Sequence, residues 1–163
     1  MRKKRLLIIP AKSYSKRIKN KNFKIFFGKP MLEYPYNAAK KSKIFHKIHI
    51  STESETIKKK LKKRGIYIDF LRPKQLTKNN VGLFEVYKFV VEEFKRKGLI
   101  FDEIWGLLPC TPLIDNLDLI KLKKKIEKKA IRKPIISISR YNAPIEWAFK
   151  LNKKNNKLTA LNK

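Results

Sequence analysis

Cysteine is almost absent from this chain of 163 residues, which contains only Cys110. A disulfide-stabilised secreted domain is therefore excluded, because a bridge needs two cysteines. Long apolar runs are also absent, and none approaches the roughly 20 residues that a membrane-spanning helix requires. The basic N-terminus precedes only a short apolar stretch, residues 6–9, which is too short for a signal peptide. We expect a cytoplasmic protein with no membrane partner.

Acidic residues are scarce: 13 Asp and Glu face 42 Lys and Arg, giving a formal net charge of +29. Basic clusters attract phosphate backbones without any sequence code, so nucleic-acid binding is one hypothesis. The basic residues are spread over the whole chain, however, and Asn, Ile and Phe are also abundant, as compositional drift in an AT-rich genome would produce. The chain carries no recognised nucleic-acid-binding motif, so we expect solvated lysines and no specific nucleic-acid partner.

Apolar residues are plentiful enough for one domain spanning residues 1–163, and the aromatic content of 11% argues against a disordered chain. The spacing of the apolar residues predicts an alternation of strands and helices. Ser54 and Asp115 are predicted helix caps. The predicted strands cover residues 6–9, 47–51, 66–71, 103–108 and 135–139, and the predicted helices cover 31–41, 55–64, 83–97 and 116–129.

This alternation predicts an α/β fold with three layers, α/β/α, in which helices cover both faces of a mostly parallel sheet. Ligands of such sheets bind at the carboxyl ends of the strands. Three segments are therefore candidate ligand loops: the loop after residue 9, the turn after residue 51 and the turn after residue 108.

The loop at residues 11–22 carries the strongest chemical signal and has the sequence AKSYSKRIKNKN. Backbone N–H groups and small hydroxyls can surround phosphate oxygens, and lysines supply positive charge. Nucleotidyl transfer needs this kind of charge compensation more than covalent help. The loop contains neither a Walker motif nor a GxGxxG motif. From spacing alone, a phosphate-binding loop and a basic loop produced by drift are equally good explanations.

Motifs along nearly the whole chain resemble those of the acylneuraminate cytidylyltransferase family. The segment IIPAKSYSKRIKNKN is similar to the family's N-terminal signature, which usually reads like IPARGGSKRIPRKN. Others follow in family order: FGKPM at 27–31, ISTE at 50–53, LRP at 71–73 and LPCTPL at 108–113. The segment APIEWA at 143–148 is similar to a segment found in the branch of the family that activates pseudaminic acid.

The resemblance implies a nucleotide-diphospho-sugar transferase-like (Rossmann-like) fold and a defined reaction. Members condense CTP with a nine-carbon, nonulosonic sugar acid, use Mg²⁺, and release pyrophosphate. The resulting CMP-sugar serves surface glycan biosynthesis. Pseudaminic acid is the sugar acid that the resemblance favours.

The resemblance also implies roles for individual residues. The lysines expected to offset charge on the triphosphate are Lys12, Lys16 and Lys21. The residues expected to bind nucleotide are Ala11, Ser15, Asn22, Arg72 and Gly82. The residues expected on the sugar-acid side are Thr111 and Pro112.

The chain departs from the family pattern at several of these places. Lys12 replaces an arginine, Ser13 and Tyr14 replace paired glycines, and Glu53 replaces an aspartate. The acidic pair that usually follows LRP is missing. The family's metal ligands and much of its dimer contact are expected beyond Lys163, so the fold is expected to be incomplete at the C-terminus and a homodimer weakened.

Two alternatives to the enzyme stay open. One is a nucleotide-binding remnant that is non-catalytic or depends on a partner for its metal site. The other, ranked third, is a basic nucleic-acid-binding protein.

Overall fold

The computed structural model of the chain describes residues 3–15, 18, 20–78, 80–129, 133–138, 149–152 and 155–160. Contacts divide the chain into two compact units, Met1–Ala130 and Ile131–Lys163, and each is described by itself. The expectation of one domain over residues 1–163 stays a prediction.

The first unit contains five strands and four helices among its described residues, and two 3₁₀ turns at Lys21–Phe23 and Lys74–Thr77. The strands are β1 (Arg5–Pro10), β2 (Ile25–Phe26), β3 (Lys29–Pro30), β4 (Lys47–Ser51) and β5 (Glu103–Gly106). The helices are α1 (Glu33–Ser42), α2 (Glu55–Lys62), α3 (Leu83–Arg96) and α4 (Asn116–Lys128).

Three of these strands form a parallel sheet in the order β4-β1-β5. In the central strand, Leu7 is paired with Ile48 of β4 and with Trp105 of β5. Every residue of β1 is buried, as expected for a parallel strand covered on both faces. The predicted parallel sheet is confirmed.

Successive side chains of β1 point to opposite faces of the sheet, and helices pack against both faces. Leu7 and Ile9 belong to a core cluster with residues of α1, α2 and α4. Leu6 and Ile8 belong to a second cluster with residues of α3, whose stripe of apolar side chains includes Val90 and Phe94. The three-layer α/β/α prediction is therefore confirmed.

Both predicted helix caps are present. The Ser54 hydroxyl accepts a hydrogen bond from the N–H of Ile57 at the start of α2. At the start of α4, the Asp115 carboxylate accepts from the N–H of Asp118, whose own carboxylate accepts from the N–H of Asp115. These reciprocal bonds satisfy helix N–H groups that have no partner within the helix.

Two predicted strands are wrong. Residues 66–71 lie close to β4 but form no strand, because no backbone ladder joins them to β4. The N–H of Ile66 donates to the carbonyl of Leu61 at the end of α2. Residues 135–138 form no strand either, since no backbone ladder to a neighbour is present in this part of the described chain, and residue 139 lies outside it. The strand predicted at 103–108 ends at Gly106.

The second unit contains a hairpin of two antiparallel strands, β6 (Phe149–Asn152) and β7 (Lys157–Ala160). The APIEWA segment at 143–148 lies outside the described residues. Within the described ranges of the whole chain, no helix has the length and apolar character needed to cross a bilayer.

Candidate functional site

A cleft with a volume of about 150 Å³ opens where β1 ends, at the carboxyl edge of the parallel sheet. Its position is that of ligand sites in open α/β sheets. It brings together three residues that the sequence analysis assigned to nucleotide or phosphate: Lys12, Arg72 and Gly82. The full lining consists of Pro10, Lys12, Arg72, Leu76, Thr77, Lys78, Val81, Gly82, Leu83 and Val86.

The lining combines positive charge with apolar surface. Lys12, Arg72 and Lys78 supply three basic side chains. Gly82 is also the residue before the first turn of α3 and has no side chain to cap it, so helix N–H groups begin at the cleft. The Glu85 carboxylate of the first turn of α3 lies against Gly82, so it is the three basic side chains around this helix start that favour a bound anion such as a phosphate. The apolar side chains suit the less polar parts of a ligand.

The loop after β1 is fixed to the sheet at its beginning and at its end. Ala11 is buried, and its N–H donates to the carbonyl oxygen of Ser51 at 2.9 Å. Asn22 is also buried, and its side-chain Nδ2 donates to the carbonyl oxygen of Lys12 at 2.9 Å. Asn22 therefore holds the loop closed on itself, and its predicted place beside a nucleotide stays a prediction.

Asn22 also connects this loop with the loop after β5. The thiol of Cys110 lies 3.4 Å from Oδ1 of Asn22. Burial raises the pKa of the Cys110 thiol, and the opposing charge of Lys21 does not cancel this effect. The thiol therefore stays protonated near neutral pH and is a weak nucleophile.

The remaining predicted site residues lie outside the lining of the cleft. Ser15 and Lys21 are half-buried on the loop after β1. Thr111 and Pro112 are half-buried on the loop after β5, next to Cys110, and the hydroxyl of Thr111 donates to the carbonyl of Leu108 at 2.9 Å. Lys16 lies outside the described residues. The roles assigned to all of these residues stay predictions.

Three loops meet at the carboxylate of Glu53, which follows β4. Its Oε1 accepts from the N–H of Ser13 at 2.8 Å and from the Ser13 hydroxyl, and its Oε2 lies 3.3 Å from Nη2 of Arg72. Burial opposes ionisation of Glu53, but the hydrogen bonds from Ser13 and the charge of Arg72 outweigh it, so the pKa of Glu53 is lowered. The carboxylate is therefore charged at neutral pH.

Sequence reasoning missed part of this site. Leu76, Thr77 and Lys78 line the cleft from the segment between the LRP motif and α3. Their position between two predicted ligand residues, Arg72 and Gly82, was the available signal. Glu53 stood out in the sequence only as a departure from the family pattern, although it follows a parallel strand at its carboxyl end.

The described residues do not form a magnesium site. Within the described ranges, no group of three His, Cys, Asp or Glu side chains is placed to hold a metal ion. Glu53 is the acid joined to Arg72 of the cleft, and both of its oxygens are engaged by Ser13 and Arg72. No step of a reaction is therefore assigned to a metal ion held by these residues.

Comparisons with known proteins converge on one family. The family model described as Cytidylyltransferase matches residues 6–100. The pseudaminic acid cytidylyltransferase of Campylobacter jejuni subsp. jejuni serotype O:2 is 32% identical over 154 residues, 93% of this chain and 65% of that protein. The N-acylneuraminate cytidylyltransferase of Escherichia coli O18:K1:H7 is 31% identical over 145 residues, 88% of this chain and 33% of that protein.

A solved structure of CMP:2-keto-3-deoxy-manno-octonic acid synthetase complexed with CTP has a similar fold. It matches with a TM-score of 0.64 at 18% identity, over 78% of this chain and 48% of that chain. This similarity supports the α/β architecture. The chain spans about 65% of the length of the Campylobacter relatives that it matches.

Proposed function

The chain belongs to the cytidylyltransferase family, and from this premise we propose that it transfers the cytidylyl group of CTP to a nonulosonic sugar acid, with pseudaminic acid as the substrate. The products are the CMP-sugar, for surface glycan biosynthesis, and pyrophosphate. One observation carries the proposal: the cleft at the end of β1 is lined by Lys12, Arg72, Lys78 and the start of α3. This arrangement suits a polyphosphate.

In the proposed reaction, the anomeric hydroxyl of the sugar acid attacks the α-phosphorus of CTP. A bond forms between that oxygen and phosphorus, the bond to the β-phosphate oxygen breaks, and the hydroxyl proton passes to solvent. Negative charge grows on the departing pyrophosphate. Lys12, together with Lys16 and Lys21 of the same loop, would offset this charge, which is the main catalytic task in such transfers.

The nucleotide and the sugar acid would meet between two loops. Arg72 and Gly82 would hold the nucleotide in the cleft, with Ala11, Ser15 and Asn22 beside it. The contact between Asn22 and Cys110 joins the loop after β1 to the loop after β5. On that second loop, Thr111 and Pro112 would face the sugar acid. The names of the two relatives support this class of substrate: one is a pseudaminic acid and the other an N-acylneuraminate cytidylyltransferase.

Mg²⁺ dependence, a cytoplasmic location and a homodimer are parts of the proposal that rest on the family resemblance. Mg²⁺ commonly neutralises charge on nucleoside triphosphates. Titration of Mg²⁺ into the reaction, with a chelator as control, tests the requirement for the metal.

The activity assay is release of pyrophosphate from CTP and pseudaminic acid in the presence of Mg²⁺. We expect release by the chain and a decrease of about 100-fold or more in Lys12→Ala, by analogy with the loss of a charge-stabilising group from an active site. Lys60→Ala, which changes an exposed lysine of α2, is the control and should retain full activity. A folded chain that releases no pyrophosphate with pseudaminic, legionaminic or neuraminic acid contradicts the catalytic proposal.

A second candidate function is binding of CTP without turnover. It is favoured by the cleft itself, whose three basic side chains suit the binding of a polyphosphate whether or not a transfer reaction follows. Calorimetric titration with CTP separates the two functions, because a binding protein gives heat of binding but no pyrophosphate. Absence of CTP binding contradicts both.

A further inference from the structure

We propose that Glu53 is a positioning residue for nucleotide binding, one that fixes the loop after β1 and the Arg72 guanidinium relative to each other. The ligand in this inference rests on the proposed function. The geometry of the contact itself stands on the described residues alone.

The two oxygens of Glu53 have different partners on different segments. Oε1 accepts both the N–H and the hydroxyl of Ser13, which lies directly after Lys12 in the loop. Oε2 lies 3.3 Å from Nη2 of Arg72. The Glu53 carboxylate therefore joins the loop after β1 to Arg72, which lines the cleft.

Arg72 is held from two directions. Its N–H donates to the carbonyl of Thr52 at 2.9 Å, which fixes the backbone at the end of β4. Its side chain is only 4% exposed, and that of Glu53 is 10% exposed, so this ion pair is shielded from water. Removing one member of such a pair leaves a charge that is buried without compensation.

One donor of Arg72 is left without a partner. Nε of Arg72 is buried and has no hydrogen-bond partner within the described part of the chain. Because buried polar groups are normally paired, this N–H is available to a ligand in the cleft that Arg72 lines. Glu53 thus takes up one side of the guanidinium and leaves another donor for the nucleotide.

Glu53 is negative and lies close to a site for an anion, so it does not attract the ligand directly. Its two oxygens are occupied by protein donors, and its effect on binding must pass through the placement of Ser13 and Arg72. A residue that acts in this way changes affinity when its hydrogen bonds are altered while the fold is kept.

The first test is calorimetric titration of CTP into the full chain and into Glu53→Gln. The amide side chain keeps the size but brings a donor against either Ser13 or Arg72. We expect CTP to bind about 10- to 100-fold more weakly, by analogy with the loss of a group that orients a metal ligand. Glu53→Asp keeps the charge and should recover part of the affinity. Glu55→Gln, an exposed acid at the start of α2, is the control and should bind as the unchanged chain does.

The second test needs no nucleotide. Hydrogen exchange in Glu53→Ala, which lacks both acceptors, should be about tenfold or more faster at the Ser13 amide, while the amides of Ile8 and Ile9 stay protected. Unchanged exchange at Ser13 overturns the proposal, and so does loss of protection throughout β1, which would mean a purely structural role. If the unchanged chain binds no CTP, the proposed function and the nucleotide role of Glu53 both fail, whereas the exchange result still decides whether Glu53 fixes the loop after β1. If Glu53→Ala does not fold, CTP affinity in Glu53→Gln decides, and an affinity equal to that of the unchanged chain overturns the proposal.

Discussion

Arg5 and Arg72 show at the residue scale how a strongly basic chain places charge inside its fold. Arg5 is almost fully buried, and its guanidinium is bonded to Glu103 and Glu127 at 2.7 Å each. Few acids are present in the sequence, and two of them neutralise this one side chain. Arg5 and Arg72 are thus both paired with acids, as buried charges normally are.

His49 is a buried titratable residue that gives the fold a pH dependence. Its side chain lies in the core, stacked on Phe70 and at the edge of Phe94, with Nδ1 at 3.3 Å from Oδ2 of Asp69. Burial lowers the pKa of His49; the nearby Asp69 opposes this and Lys47 adds to it, and the net direction is downward. The folded protein therefore binds a proton at this ring less readily than the unfolded chain does.

The lowered pKa of His49 determines whether stability rises or falls with pH. Because the pKa in the folded state lies below the ordinary value near 6.5, the unfolded chain takes up the proton first as pH falls. We expect the contribution of His49 to the free energy of unfolding to be fully present above about pH 7 and to decrease as pH falls through about 6.5. Urea denaturation at a series of pH values measures this. In His49→Gln, the free energy of unfolding should change less over the same pH range. An equally steep decrease in that variant would contradict the assignment of this pH dependence to His49.

At the scale of secondary structure, local signals predicted most elements well. The buried run that forms β1 and the caps at Ser54 and Asp115 were readable because each depends on a few adjacent residues. Residues 66–71 have the same apolar character as a strand, but a strand is defined by its backbone partners. The N–H of Ile66 bonds to α2 instead, and nothing in the local pattern distinguishes that choice.

The cap of α4 gives a prediction at this scale. Asp115→Ala removes the acceptor for the N–H of Asp118 and ends the reciprocal pair. We expect a loss of about 1 kcal/mol in the free energy of unfolding, the usual value of an N-cap. Chemical denaturation measures this loss, and Lys121→Ala on an exposed position of the same helix is the control. A loss in the control equal to that in Asp115→Ala would show that the cap is not the cause.

At the scale of the whole molecule, the site is assembled from segments that are distant in sequence. Ser13 and Glu53 are 40 residues apart, Glu53 and Arg72 are 19 apart, and Asn22 and Cys110 are 88 apart. The sequence predicted that the loops after parallel strands would share one edge, and motif order supplied Lys12, Arg72 and Gly82. Which side chains bond to each other across that edge could not be predicted, because those pairings depend on the packed sheet.

Net charge is also a property of the whole molecule, and it makes simple binding measurements ambiguous. A chain with a charge of +29 attracts any polyanion, including nucleic acid and CTP, through its overall field. The proposed function requires something narrower than this general attraction. It requires that the cleft and the loop after β1 hold the nucleotide and that the exposed lysines of the helices do not.

Titration of CTP into the ¹⁵N-labelled chain, followed by backbone amide shifts, tests this requirement most directly. We expect saturable shifts concentrated at the cleft, at Lys12, Arg72, Lys78 and Gly82, with little change in the lysine-rich turns of α2 and α4. Shifts spread over those exposed lysines, with none at the cleft, would contradict the proposed site.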